Sequence, residues 1–425
     1  MADVRPFRAL RYAPGVDLAT AVCPPFDVIS PKLQRELHRI SPHNAVRLEL
    51  AEDGRDPYRR AAGTLDEWLR KGVLLRDQAP AFHLYREEFR HNGRTYRRRV
   101  LLARLRLEPW ERGVVLPHER TFGAPKEDRL KLLRAIRMNT SPVYLLYRDA
   151  QQQIAPLLSR VAGAKPSLQF QDEGLSYDLW QLKEAAMLSP LSHAFQRETL
   201  YVADGHHRYE TALAYRDECR AEAKAWTGDE PENFALVALT AADDPGLLVL
   251  PIHRLANVNV PAEQVLERLR PAFTVDTMPD AAALLAAMAK RSDRMTVLGL
   301  AAGKPLALHL LTLVDPDAVA GLLPPEPSAV WRRLDVTIAN HAVLRHALAL
   351  TDDQMSDIDT LSFSEDAQEA IEAVRKGFSR YALLLNPVPV GRILAVADAG
   401  ERMPQKSTFF YPKVPTGLVF NPLDD

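Results

Sequence analysis

Cysteine is scarce in this chain. Only Cys23 and Cys219 occur among 425 residues, far apart in sequence. Two thiols cannot build a disulfide framework and can hardly supply a structural zinc site, and their number suits a reducing compartment. An excess of charge is missing too: 54 Lys and Arg stand against 55 Asp and Glu, for a net charge of −1. No global field then draws the chain to nucleic acid or an anionic membrane, and any phosphate must be held by local geometry. No run reaches the roughly 18 apolar residues that a spanning helix needs. The opening residues Met1 to Arg8 lack the apolar stretch of a signal peptide, so a cytoplasmic location is expected, with no membrane and no nucleic-acid partner. There is no internal repeat and no low-complexity tract. What remains, 47% hydrophobic and 26% charged residues, is the composition of a globular protein long enough for two domains.

The patterning predicts an α/β fold of mixed (α+β) type. Ser30 before Pro31 predicts a helix over 31–40, since the hydroxyl caps and the proline has no N–H to leave unsatisfied in the first turn. Alternation in Asn44–Leu50 predicts a half-buried strand. A helix is expected over 56–71, and a hairpin over 80–90 and 95–107 around His91-Asn92-Gly93. Val143–Tyr147 and the apolar run Phe234–Ala241 read as strands, the latter a central one. Leu168–Trp180 reads as a strand pair and 182–197 as mostly helix. From about Val258 the texture changes to alanine-rich helices (281–290, 329–350, 366–376) between short strands. The expected division is an N-terminal catalytic domain over 1–257 and a smaller C-terminal α/β domain over 258–425. The hydroxyl-, lysine- and aromatic-rich segment Met403–Lys413 either reaches back over the site or docks as a tail.

The sharpest local signal is Asp204-Gly205-His206-His207-Arg208, between a predicted strand (199–203) and a predicted helix (206–226). Open α/β folds place ligands at such turns. Glycine admits close approach of a ligand to the backbone, and the first helical turn offers N–H groups to an anion. Arg208 adds a planar fork suited to phosphate. His206 and His207 can donate to phosphate or move a proton near neutral pH. Asp204 can cap the helix, hold Mg²⁺ or orient a histidine. The plainer alternative is a capping Asp204, solvated histidines and an Arg208 paired with Glu210 or a neighbour. Adjacent helical histidines point about 100° apart and rarely share a metal.

A second polar concentration runs from His118, Glu119 and Arg120 to Lys126 and Arg129. Glu119 is a candidate base or, with Asp204, a candidate Mg²⁺ ligand. His118, Arg120, Lys126 and Arg129 are candidates to hold acidic substrate groups. Asp27, after the stiff Pro24-Pro25 pair, is a further candidate, and His253-Arg254 at a strand end a weaker one.

Ala203–Ala212, with Pro24–Ile29, Pro117–Thr121, Pro125–Arg129 and Gln405–Thr408, resembles the signature blocks of a bacterial and archaeal family, domain of unknown function 1015. The blocks span nearly the whole chain in family order. Phe26 stands where the family is expected to carry tyrosine, so position 26 receives no catalytic role; Gly123-Ala124 also depart from the usual residues. The resemblance adds Lys406 and Ser407 to the candidate phosphate-binding set. Gly205-His206-His207-Arg208 is in turn similar to the Gly-x-x-Arg phosphate motif of the ParB/sulfiredoxin superfamily, which includes sulfiredoxins, CTP-binding partition proteins and an ADP-dependent free-serine kinase. That likeness implies an N-terminal ParB/sulfiredoxin-like mixed sheet, ADP or ATP as a possible phosphate donor, and serine or phosphoserine chemistry. Both cysteines lie outside the motif, so sulfinate reduction is not expected, nor is a flavin, NAD or structural zinc.

Together these readings predict a phosphotransferase or phosphohydrolase acting on a small phosphorylated metabolite or nucleotide. Asp204, His206, His207 and Glu119 would do the chemistry, with Gly205 and Arg208 as the cradle. The alternative is a non-catalytic nucleotide-binding switch or regulatory protein.

Overall fold

The computed structural model describes residues 1–52, 54, 56–119, 123–291 and 295–424, with backbone only at 123–125 and 291. The chain is of mixed α/β class and divides into two compact units that are discontinuous in sequence. The first comprises Met1–Pro117, Thr121–Leu247 and Pro412–Asp425; the second comprises His118–Arg120 and Leu248–Tyr411.

The first unit is built on a nine-stranded mixed sheet. Its order is Val115–Pro117, Leu200–Asp204, Val143–Tyr147, Phe234–Ala241, Arg94–Arg106, Phe82–His91, Leu175–Leu182 and Leu168–Asp172, with Val4–Arg5 also pairing Arg94–Arg106. Two of its pairings are parallel: Leu200–Asp204 with Val115–Pro117, and Phe234–Ala241 with Val143–Tyr147. The expected hairpin forms because Asn92 and Gly93 both take positive φ, the demand of a tight turn that follows strand twist. Phe234–Ala241 is buried at every residue, as its unbroken apolar run predicts for an inner strand.

Helix 31–40 forms as read, with Ser30 accepting from Leu33 N–H. Asn44–Leu50 does not form a strand: Val46–Glu49 is a short helix. Asn44 decides it, its Oδ1 accepting from Val46 N–H while its Nδ2 donates to the carbonyls of Thr20 and Val22. The alternation that suggested a strand is overridden because Val46, Leu48 and Glu49 are all buried.

The C-terminal residues 412–424 return to the first unit. Thr416 bridges Cys23, Phe420 bridges Leu10, and Asn421–Pro422 pairs Met138–Asn139.

The second unit carries a six-stranded antiparallel sheet in the order Phe273–Met278, Ala307–Leu313, Val297–Ala302, Tyr381–Leu384, His253–Ala256, Leu361–Ser364. Helices Ala281–Arg291 and Ala367–Lys376 pack against it over a core that includes Leu284, Val297, Leu310, Ile371 and Leu384. The helix expected over 329–350 is broken. Ala329–Arg332 and Asp335–Ile338 are short α turns, and Ala339–Ala347 is π-helical.

Candidate functional site

Strand Leu200–Asp204 is buried through Ala203, and its pairing with Val143–Tyr147 shifts register between Val202 and Asp204. The shift delivers Asp204 to the strand end, half-buried. Gly205 then turns the chain at φ +87° into helix His206–Glu222. Glycine is required there twice over. The φ is left-handed, and a Cβ would stand 2.9 Å from Arg208 Cζ and 3.0 Å from Nε. The Arg208 guanidinium therefore lies against the bare Cα of the turn.

Asp204 does not cap the helix, whose N-cap residue is Gly205. Its carboxylate faces cations instead: Oδ2 accepts from Arg208 Nη2 at 2.7 Å and Oδ1 from Lys413 Nζ at 2.6 Å. Burial alone would raise this carboxyl, but Lys413 and Arg208 outweigh it and hold it well below the usual carboxylate range. Burial pulls the Lys413 ammonium down, and Asp204 and Asp27 more than restore it, so its pKa is raised. Arg208 is committed further, since Nη1 donates to the Pro142 carbonyl. It is an anchored cation beneath the turn rather than the open fork that its place in the sequence suggested.

Asp27 stands at the rim, open to solvent on its outer surface. The protein packed around its other sides raises its carboxyl pKa, and Asp204 adds to this; Arg208 and Lys413 offset part. His207, half-buried, has its pKa lowered by burial, with Lys126 and Arg208 adding to the effect against Glu210 and Asp27. Its neutral imidazole form is thereby favoured. Lys126 Nζ donates to Glu210 Oε2 at 2.8 Å. His206 is buried.

Arg129 belongs to the same unit but is built into protein. It reaches Asp128 (Nε, 2.8 Å) and the Glu49 carbonyl (2.8 Å), and its guanidinium lies 4.5 Å from the centre of the Phe26 ring. The phenylalanine at position 26 thus has a packing role that needs no hydroxyl. Arg129 and Arg208 both line a cavity of about 50 Å³ with Glu49, Thr140 and Ser141. Thr211 Oγ1, on the same wall, is buried without a hydrogen-bond partner.

The fold thus gathers Asp27, Lys126, Arg129 and Asp204–Arg208 in one unit. His118, Glu119, Lys406 and Ser407 lie in the other, and Arg120 lies outside the described residues. In the second unit Glu119 Oε1 accepts from Lys406 N–H at 3.2 Å, and Met403 N–H donates to the His118 carbonyl. His118 Nε2 pairs with Thr408 Oγ1 at 3.1 Å, and Ser407 Oγ donates to the Pro404 carbonyl. These contacts fix the 403–408 loop onto residues 118–119. The Lys406 side chain is exposed and its backbone takes φ +55°.

Sequence reasoning assigns no role to Glu49, reads Glu210 only as a partner for Arg208, where the structure pairs it with Lys126, and reads Lys413 only as part of a segment that either reaches back over the site or docks as a tail. Lys413 is 209 positions from Asp204, and no local pattern announces such a pairing.

A Mg²⁺ ion fits Asp204 poorly, because both of its oxygens already accept from cations. Among the described residues no group of three His, Cys, Asp or Glu is placed to hold a metal ion. Among them also no helix is long and apolar enough to cross a membrane.

Solved structures similar to this chain include a free serine kinase mutant in complex with ADP, at TM-score 0.36 and 12% identity, covering 72% of this chain and 89% of that one. A conserved hypothetical protein from Pyrococcus furiosus matches at TM-score 0.35 and 13% identity, covering 71% and 90%. SbnI with C-terminal truncation, from Staphylococcus aureus, matches at TM-score 0.35 and 12% identity, covering 75% and 87%. With all three TM-scores below 0.5, the functional argument rests on the site's own residues. No curated protein is similar to the chain in sequence. A family model does match it, over residues 4–337, and the chain belongs to that family, described as protein of unknown function (DUF1015).

Proposed function

We propose that the 204–208 turn binds the phosphate group of a small metabolite or nucleotide, and that the protein is a phosphotransferase or phosphohydrolase. The observation that carries this reading is the strand-to-helix turn itself: Gly205 at the N-cap brings no side chain of its own to the start of helix His206–Glu222, and Asp204 anchors two cations, Arg208 and Lys413, beside the turn. Backbone N–H groups and the helix dipole favour an anion there. The two cations add a fixed positive field, with Asp204 holding them in place rather than acting as a metal ligand. Such preorganised charge is the main thing phosphoryl transfer asks of a protein.

Asp27 is the candidate general base. Its raised pKa makes it a better proton acceptor than an ordinary carboxylate, and its outer face is open to an incoming hydroxyl or water. The neutral His207 can donate to a phosphate oxygen without adding charge. An adenine nucleotide as donor, and serine or phosphoserine as substrate, are carried over from the Gly-x-x-Arg resemblance. No step is assigned to Mg²⁺.

The non-catalytic switch has one observation of its own: Arg208 and Lys413 are both already engaged by Asp204, which suits binding without turnover. A panel of nucleotides and phosphorylated metabolites, assayed for phosphate release and transfer, separates the readings. The wild type is expected to turn over at least one of them. Gly205→Ala, which drives a Cβ into the guanidinium at a left-handed φ, is expected to lose at least about tenfold in phosphate-ligand affinity. Binding without turnover would favour the switch, and neither binding nor turnover would reject both.

A further inference from the structure

The second unit contains a cavity of about 680 Å³, within the size range of small-molecule sites. None of the contacts that fix the 403–408 loop onto residues 118–119 explains its most unusual lining residue. Arg254, on strand His253–Ala256, is 1% exposed. Its Nη1 donates to the Ile252 carbonyl and its Nη2 to the Gln405 carbonyl at 3.4 Å. Its Nε is buried with no hydrogen-bond partner, and among the described residues no carboxylate lies within ion-pair distance. A buried guanidinium without a counter-anion is costly, and folds seldom keep one without an occupant that repays it. Burial lowers its pKa to about 10, with Glu119 the one charge opposing the shift.

The rest of the lining has the other features of a built site. Residues Ala339–Ala347 form a π-helix, a rare geometry that recurs at functional sites. It places Asn340 and His341 on the cavity, and Asn340 Oδ1 is a buried acceptor that no donor satisfies. His341 meets the Trp331 ring edge-on at 5.8 Å, and the Phe363 ring lies 5.7 Å from the Arg254 guanidinium carbon. One lining side chain therefore calls for an anion and another for a hydrogen-bond donor, and the Trp331 and Phe363 rings add flat apolar surface to the lining.

We propose that this cavity binds a small organic anion that carries a planar ring and a hydrogen-bond donor, its acid group directed to Arg254 and its donor to Asn340. A nucleoside monophosphate and an aromatic amino acid share that chemistry, so both belong in the test. Binding is measured by isothermal titration of the full-length chain with AMP and with phenylalanine. Inorganic phosphate and adenosine serve as the halves of the first ligand. AMP or phenylalanine is expected to bind. Asn340→Leu, His341→Ala and Arg254→Lys are each expected to weaken it roughly tenfold or more, because the first and third remove or misplace a buried polar group and the second removes a lining ring that packs on Trp331. Gly205→Ala, which acts on the phosphate site of the first unit, is expected to leave this binding within about threefold, the reverse of its effect on the site proposed above.

Asn340→Leu and His341→Ala decide the matter if Arg254→Lys does not fold. Failure of both ligands to bind the wild type would overturn the proposal. So would pocket variants that bind as the wild type does, or loss on Gly205→Ala as large as on Asn340→Leu, which would place the ligand in the first unit.

Discussion

At the scale of single residues the candidate site is a balance of charge, and Asp27 is where that balance is least satisfied. Folding raises its carboxyl pKa from 3.8, so the folded state binds this proton more tightly than the unfolded chain. Stability contributed by Asp27 is then greatest at low pH and declines as pH rises from about 4 through the raised value. An asparagine cannot ionise and escapes the decline. Asp27→Asn is expected to melt higher than the wild type at pH 7.5, by a small margin because solvent screens the outer face, and to lose that advantage near pH 4. If Asp27 is the base, the same variant loses turnover. Melting curves across pH check the first half; a variant less stable than the wild type at pH 7.5 would remove the argument. The local half of this site was legible in sequence, because Gly205 and the residues around it are read from one strand-to-helix turn. The other half was not. Lys413 reaches Asp204 from the far end of the chain, and Arg208, taken alone, could not declare that its guanidinium would be spent on Asp204 and Pro142.

At the scale of elements, most strands and helices follow from pattern, and the exceptions have physical causes. Asn44–Leu50 has strand-like alternation but becomes a helix because one asparagine side chain supplies both donors and an acceptor to the backbone. The 329–350 stretch is alanine-rich, yet it breaks and widens into a π-helix, a choice that propensity does not encode. Residues 412–424 carry almost no periodicity, and their place is set by long-range pairing. They are nevertheless core. Phe420 is fully buried and meets Tyr12 edge-on at 5.9 Å, while Val414, Leu418, Val419 and Leu423 are buried beside it in sequence. Phe420→Ala is accordingly expected to destabilise the first unit by about 3–5 kcal/mol, the usual cost of emptying a buried phenylalanine site. Chemical denaturation measures it. A change below about 1 kcal/mol would mean that the C-terminal segment is peripheral to the core.

At the scale of the whole molecule, the two units have separate hydrophobic clusters: those around Leu101, Leu145 and Val237 and around Leu10, Trp68 and Phe420 in the first, and that around Leu284, Leu310 and Leu384 in the second. Separate cores predict separate unfolding, since two-state behaviour is a property of single cooperative domains. The tryptophans allow this to be read directly. Trp68, Trp110, Trp180 and Trp226 all belong to the first unit, and Trp331 alone to the second. Fluorescence of a Trp331→Phe protein in urea follows the first unit. A protein that keeps Trp331 while the other four are phenylalanine follows the second. Two midpoints are expected, and Phe420→Ala should lower the first without moving the second. Because the chain leaves the first unit at Leu247 and re-enters it at Pro412, unfolding of the second unit alone leaves residues 248–411 as a long loop whose two ends are held by the first unit, with Lys413 just past one of them. The entropy lost in closing such a loop grows only slowly with its length. Phosphate-ligand affinity at the 204–208 turn should therefore persist in urea that has unfolded the Trp331 unit and vanish with the first. A single shared midpoint, shifted as one by Phe420→Ala, would instead show that the two cores fold as one cooperative body.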